Sequence, residues 1–235
     1  MANNWDYFDK VYCISLDTRK DRQKEANSQF EKVGLSGKVE FIIVKKHPLN
    51  SEQGIYESHI SCIKKGIMAG AKNILIFEDD IIFDGFAPCL LQNCTDFLST
   101  EKNWNILFFG CLVKGIEKKS YPSILKIQYR CSAHAYLLNR NFAENIVKKE
   151  WNNIAFDDML ASYHQDGFYT VYPSFAFQSS SSTDNDRCLN LDKIRRLCGG
   201  LKLIQKMNEF YNYHKPLIIA VHIFVILIII GIIWI

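Results

Sequence analysis

Glu78-Asp79-Asp80 sets three carboxylates in a row directly after the apolar run Asn73-Ile-Leu-Ile-Phe77. Adjacent carboxylates repel unless a cation or a donor-rich ligand neutralises them. A hard divalent ion meets that need, since oxygen ligands select Mg2+ or Mn2+, and an ion bridging a diphosphate stabilises the charge of a departing nucleoside diphosphate. Upstream, Arg19 and Arg22 in Ser15-Leu-Asp-Thr-Arg-Lys-Asp-Arg22 are three residues apart in the first turn of a predicted helix. Cations there oppose the helix dipole, so their placement makes sense if a ligand brings negative charge. The competing reading is a solvated face, with Asp17 and Asp21 as partners.

Two further groups carry chemistry. Gly54-Ile-Tyr-Glu-Ser-His59 puts Ser58 at a helix start as N-cap, with His59 facing the site or serving structure. Asp157-Asp158 offers a carboxylate to take a proton from an acceptor hydroxyl, although helix capping explains the pair almost as well.

These residues need elements to position them. Val11 to Leu16 reads as a strand, Arg19 to Val33 as a helix and Val39 to Val44 as a second strand. A polar loop through Pro48 and Gly54 leads to a helix from about Ser58 to Ala69. Asn73 to Phe77 is apolar on successive residues, as in a strand covered on both faces of a mostly parallel sheet, so the three acids sit at a strand's C-terminal end. Strand signals recur at Asn105 to Phe109, Ala135 to Leu138 and Thr170 to Tyr172, and a helix at Asn141 to Lys149. Alternation of strands and helices makes the class α/β.

At 235 residues, 48% hydrophobic and 23% charged, the chain suits one well-buried domain with an appendage. A formal charge of +3 does not argue for nucleic acid. Eight cysteines (13, 62, 89, 94, 111, 131, 188 and 198) show no CxxC spacing and read as free thiols, mostly core.

Pro216 to Ile235 carries no charge and matches the roughly 20 residues a membrane-spanning helix requires. Only His222 interrupts it, and that side chain reads as tolerated rather than functional. Lys193, Arg195, Arg196, Lys202, Lys206 and Lys215 precede it, and the start has no apolar signal-peptide core. Together these imply a single-pass C-terminal anchor with the domain on the cytosolic side. Between domain and anchor, Leu191, Ile194, Leu197, Leu201 and Ile204 share one helical side, which suits a helix lying on anionic lipid or one that spaces the domain from the bilayer; Gly199-Gly200 weakens either. The expected organisation is 1–190, 191–215 (basic, amphipathic) and 216–235 (transmembrane).

Taken in order, the motifs resemble the glycosyltransferase family 25 group, which includes lipopolysaccharide-type galactosyltransferases and collagen galactosyltransferase domains. The matching residues are Ile14-Ser-Leu-Asp-Thr-Arg19 with Asp21-Arg22 (Ser15 replacing the usual Asn), Gly54, Tyr56, Ser58 and His59, Glu78-Asp79-Asp80, His134-Ala-Tyr-Leu-Leu-Asn-Arg140, Asp157 to Leu160, and Pro173 with Gln178. Ile55 and Glu57 depart from the pattern, and the likeness covers roughly residues 10 to 185.

The resemblance implies a GT-A-like fold, a UDP-galactose or UDP-glucose type donor, Mn2+ or Mg2+, and inversion at the anomeric carbon. It implies donor-binding roles for Asp17, Arg19, Arg22, Ser58 and Asp79, metal ligation by Glu78 and Asp80, and catalytic roles for Asp157, Asp158 and His59. The implied partners are the nucleotide sugar, a glycan or lipid-linked oligosaccharide acceptor, as in lipopolysaccharide biosynthesis, and the membrane. Two rival readings exist: a catalytically inactive, membrane-tethered binding protein, and a phosphohydrolase with Asp79 or Asp80 as nucleophile. The Asp-x-Asp-x-Thr/Ser pattern of the second is absent.

Overall fold

A computed structural model describes residues 4–186, 189–197 and 199–233. In chain order the elements are β1 (Lys10–Leu16), α1 (Lys20–Lys32), β2 (Val39–Val44), α2 (Ser51–Met68), β3 (Asn73–Glu78), β4 (Ile81–Phe83), α3 (Pro88–Thr100), β5 (Ile106–Phe108), β6 (Leu112–Tyr121), β7 (Ile124–Cys131), β8 (Ala135–Asn139), α4 (Arg140–Ile146), α5 (Phe156–Ser162), β9 (Phe168–Val171), β10 (Ala176–Gln178), α6 (Leu189–Leu197) and α7 (Gly200–Ile233).

The fold is α/β. An eight-stranded sheet has the order β2-β1-β3-β8-β5-β9-β7-β6, and β10 pairs with β4 beside it. Following the pairing signs across the sheet, six strands run one way, and only β8 and β7 are reversed. Successive residues of the central strands enter opposite layers. Leu75, Phe77, Leu107 and Leu137 pack with α1 and α3, while Ile74, Ile76, Ile106, Phe108 and Leu138 pack with α2, α4 and α5. This two-sided burial explains the unbroken apolar runs.

The same topology gathers the chemistry at one edge. β1, β2 and β3 are parallel, with Leu16 beside Val44 and Ile14 beside Glu78, so all three end together. β8 is antiparallel to β3 and pairs Ala135 with Phe77, which brings Ser132 to His134 to that edge as well. Gln178 pairs with Ile81 and so lies next to Asp80.

Several elements differ from the sequence reading. α2 begins at Ser51 rather than Ser58, capped by the Asn50 side chain, which accepts from the backbone N–H groups of Glu52 and Gln53. Gly54 therefore lies inside the helix, where a Cβ would come within 2.7 Å of the His47 Cβ. β6 and β7 form an unforeseen hairpin, and β9 covers Phe168–Val171 instead of Thr170 to Tyr172. α6 and α7 are separate helices, broken at Gly199 and Gly200, whose φ angles of 91° and 82° favour glycine. The described cysteines are free thiols, with Cys13, Cys62, Cys94 and Cys111 buried, Cys131 half-buried and Cys89 exposed; Cys188 and Cys198 lie outside the described residues.

α7 is long and apolar enough to cross a membrane, over Gly200–Ile230. His222 bonds within it, its Nδ1 lying 2.7 Å from the Ile218 carbonyl. The first turns of α7 dock on the sheet. Asn208 accepts from Val113 N–H at 2.9 Å and donates to Val113 C=O at 3.0 Å. Gln205, which is buried, donates to Ala176 C=O, Glu209 accepts from Ser174 N–H, and Tyr213 stacks on Tyr172 at 3.9 Å. Asn208→Ala leaves both backbone groups of the buried Val113 unpaired, at about 1–3 kcal/mol. Thermal melts should show a fall of several degrees, against no change for Lys215→Ala.

Candidate functional site

A cavity of about 440 Å³ opens at this edge, lined by Ser15, Arg22, Ser58, His59, Glu78, Asp79, Asp80, Ser132, Asp157, Asp158 and Gln178, among others. The motifs scattered through the sequence therefore converge.

Each acid of the triplet has its own environment. Asp79 is buried, accepts from the Ser15 hydroxyl at 2.6 Å and pairs with Arg22 at 3.1 Å. Asp80 accepts from the Gln178 amide at 3.3 Å through one oxygen, while its other oxygen is buried with no partner. Burial, with help from the Asp79 charge, pushes the Asp80 carboxyl up to about 6, although Arg22 and the Gln178 hydrogen bond oppose the shift. Glu78 accepts from Gln178 at 3.4 Å, and burial together with Asp80, Asp157 and Asp79 raises its carboxyl well above the usual range.

His59 lies within α2. Its ring stacks on Phe156 at 4.2 Å, with Nδ1 2.7 Å from the Tyr136 hydroxyl and Nε2 3.3 Å from Glu78. Burial lowers its pKa to about 3, so the imidazole is uncharged and the contact with Glu78 is no ion pair. Ser58 is not the N-cap the sequence suggested. Its hydroxyl donates to the Gly54 carbonyl one turn back, and Asn50 caps the helix.

Asp157 and Asp158 open α5 but play unlike parts. Asp157 accepts from Tyr129 O–H at 2.7 Å, Ser132 N–H at 2.8 Å and Ala133 N–H at 2.9 Å, so both of its oxygens are engaged. Burial raises its carboxyl despite those three bonds. It does not cap its own helix. Asp158 is exposed on the cavity wall.

The guanidiniums are held by a serine-rich loop. Arg22 donates to the Ser182 carbonyl at 2.6 Å and lies 3.7 Å from Asp184. Arg19 donates to the same carbonyl at 3.2 Å and pairs with Asp184 and Asp21. Asp17, half-buried, donates its backbone N–H to the Val44 carbonyl and, like Arg19, is not among the lining residues. Sequence reasoning missed Ser132 and Asp184, which no local spacing marks. It noted Gln178 and His134 only through the family likeness. His134 is buried, its Nδ1 is 3.0 Å from the Ser132 hydroxyl, and its carbonyl accepts from Glu78 N–H at 2.9 Å.

A divalent ion suits these residues. The partnerless oxygen of Asp80 and the neighbouring Glu78 supply hard oxygen donors. Among the described residues no group of three His, Cys, Asp or Glu is placed to hold an ion, so ligands from outside the protein would have to complete its shell.

No protein-family profile matches the chain. Curated relatives are distant. The human protein named "Inactive glycosyltransferase 25 family member 3" is 24% identical over 61% of this chain, and the bovine "Probable inactive glycosyltransferase 25 family member 3" is 22% identical over the same share. The match spans only 29% of each relative's length. Among solved structures, A197 from STIV is similar with a TM-score of 0.48 and 11% identity, covering 72% of this chain and 85% of that one. A glycosyltransferase involved in glycosylation of the major capsid of PBCV-1 gives a TM-score of 0.35 and 9% identity, covering 58% and 63%.

Proposed function

Starting from a chain that is a distant relative of the glycosyltransferase 25 family, we propose that it is a membrane-tethered glycosyltransferase. In this reading it moves a hexose from a UDP-galactose or UDP-glucose type donor to a hydroxyl of a glycan or lipid-linked oligosaccharide, with inversion. The observation that carries the reading is the convergence of Glu78, Asp80, Arg22, His59 and Asp158 on one cavity at the carboxyl ends of parallel strands.

Glu78 and Asp80 would hold Mn2+ or Mg2+, which neutralises charge on the leaving diphosphate. Arg22 and Arg19 bind the anionic donor once the loop yields them. Asp79 keeps Arg22 in place, and Asp17 shapes the turn that carries the arginines. Ser58 lines the donor pocket, while neutral His59 orients Glu78. Asp158 is the base rather than Asp157, whose oxygens are already taken by three donors. Asp158 accepts the acceptor's proton as the hydroxyl oxygen bonds to the anomeric carbon and the bond to the diphosphate breaks. The cations before the apolar part of α7 favour a cytosolic domain.

Asp184 competes with the donor for the same guanidiniums. Asp184→Asn is therefore expected to tighten UDP binding several-fold, measured by calorimetry with Mn2+ present; equal or weaker binding would remove the competition argument.

A second reading, favoured by relatives whose names call them inactive, is a binding protein without turnover. Full-length protein in detergent, screened for hydrolysis of nucleotide sugars with Mn2+ or with EDTA, separates the two. Metal-dependent release of UDP from one donor supports the enzyme, and tight binding without release supports the inactive relative.

A further inference from the structure

We propose that Asp157 is a positioning residue that orients Glu78 and Asp80 through Ser132 and Gln178. The link is a continuous run of hydrogen bonds. Asp157 receives the backbone N–H groups of Ser132 and Ala133 at 2.8 and 2.9 Å, fixing the turn that enters β8. Within that turn Ser132 has a φ of 81°, a left-handed conformation that residues other than glycine seldom adopt and that persists where surrounding contacts over-determine it.

That conformation is what directs the hydroxyl. Ser132 Oγ donates its single proton to the Gln178 carbonyl oxygen at 2.9 Å, and His134 Nδ1 lies 3.0 Å from the Ser132 hydroxyl oxygen. The bond fixes which way the Gln178 amide faces. With its oxygen turned to Ser132, its NH2 must point at the acids, 3.4 Å from Glu78 and 3.3 Å from Asp80. A flipped amide would set oxygen against two carboxylates. β10 holds the rest of Gln178 through its pairing with Ile81 on β4. Asp80, a residue of the cavity lining, is consequently held by one oxygen, and its other oxygen is left buried and without a partner. Residues behind a metal ligand set its orientation in this way and typically change metal affinity 10- to 100-fold when lost.

The purpose of the relay rests on the transferase reading, but its mechanics do not, and two measurements on full-length protein keep them apart. The first is Mn2+ affinity by electron paramagnetic resonance, without donor. Ser132→Gly suits the positive φ and removes the hydroxymethyl group, hydroxyl included; it should weaken Mn2+ about tenfold, and Ser132→Gly with Gln178→Leu should be no weaker than Gln178→Leu alone. The second is the side-chain amide resonance of Gln178 in protein labelled with 15N-glutamine, which should shift in both Ser132→Gly and Asp157→Asn. If neither variant moves that resonance, or if the two affinity losses simply add, Asp157 does not act through Ser132 and Gln178. If wild-type protein binds no Mn2+ while the resonance still shifts, the relay stands and the metal-dependent reading falls.

Discussion

Arg22→Met is expected to destabilise the domain by about 3–5 kcal/mol, a fall in Tm of roughly 10 °C for a chain of this size. The reason is what the substitution leaves behind. Asp79 is 6% exposed, and its partners are the Arg22 guanidinium at 3.1 Å and the Ser15 hydroxyl at 2.6 Å. Methionine fills much of the space of arginine but strands that carboxylate, and an unpaired buried charge costs more than the intact pair contributes. The Ser182 carbonyl loses a donor at 2.6 Å as well. Adding Asp79→Asn to Arg22→Met should restore part of the loss. By contrast, breaking the exposed pair of Arg196 with Asp192 in α6 should cost under about 0.5 kcal/mol. Urea denaturation of these three variants beside the wild type gives the comparison, and a mild effect for Arg22→Met would show that Asp79 finds water or another donor.

The second large effect separates activity from stability. On the proposed reading, in which Asp80 would hold a charge-stabilising ion, Asp80→Asn is expected to reduce donor turnover by a thousandfold or more, since losing that ligand would forfeit several kcal/mol in the transition state. The same change should stabilise the metal-free protein. Burial pushes the Asp80 carboxyl up to about 6, above its unfolded value of about 3.9. A group whose pKa is raised by folding favours the native state only when protonated, so the ionised side chain costs roughly 2–3 kcal/mol above pH 7 and nothing below about pH 4. Melts in EDTA should therefore show Asp80→Asn with the higher Tm at pH 8 and with the wild-type value at pH 4. A destabilised variant at pH 8 would mean that the carboxylate is satisfied in solution.

Much of this was legible in the sequence where burial is two-sided. The successive apolar residues of Asn73 to Phe77 suited an interior strand, and that reading placed Glu78, Asp79 and Asp80 at the mouth of a sheet. Arg22 was legible by type and spacing, whereas His59 came forward chiefly through the family likeness. The hairpin of β6 and β7 was not, because its lysines and several register shifts hide the alternation of a strand. The start of α2 was missed because Gly54 reads as a loop residue, whereas close approach to His47 requires it inside a helix. Ser132 with Gln178, 46 residues apart, and Arg19 with Asp184, 165 apart, have no periodic signature. Only the folded chain brings them together, and that is how Asp157 and Asp158, alike as an adjacent pair, part into an anchor and an open carboxylate. The basic segment before the apolar helix read as spacer or lipid-bound helix, yet Gln205, Asn208 and Glu209 tie it to the sheet through contacts that helical periodicity does not encode.

That docking also dictates how the central claim is tested, since truncation before α7 would uncover Val113 and Ala176. The measurement is calorimetric titration of UDP into full-length protein in detergent, with Mn2+ and then with EDTA, beside Asp80→Asn. Saturable binding that needs both the metal and Asp80 is the predicted result. Absence of UDP binding under every condition, for wild-type and Asp184→Asn protein alike, would contradict the nucleotide-sugar site.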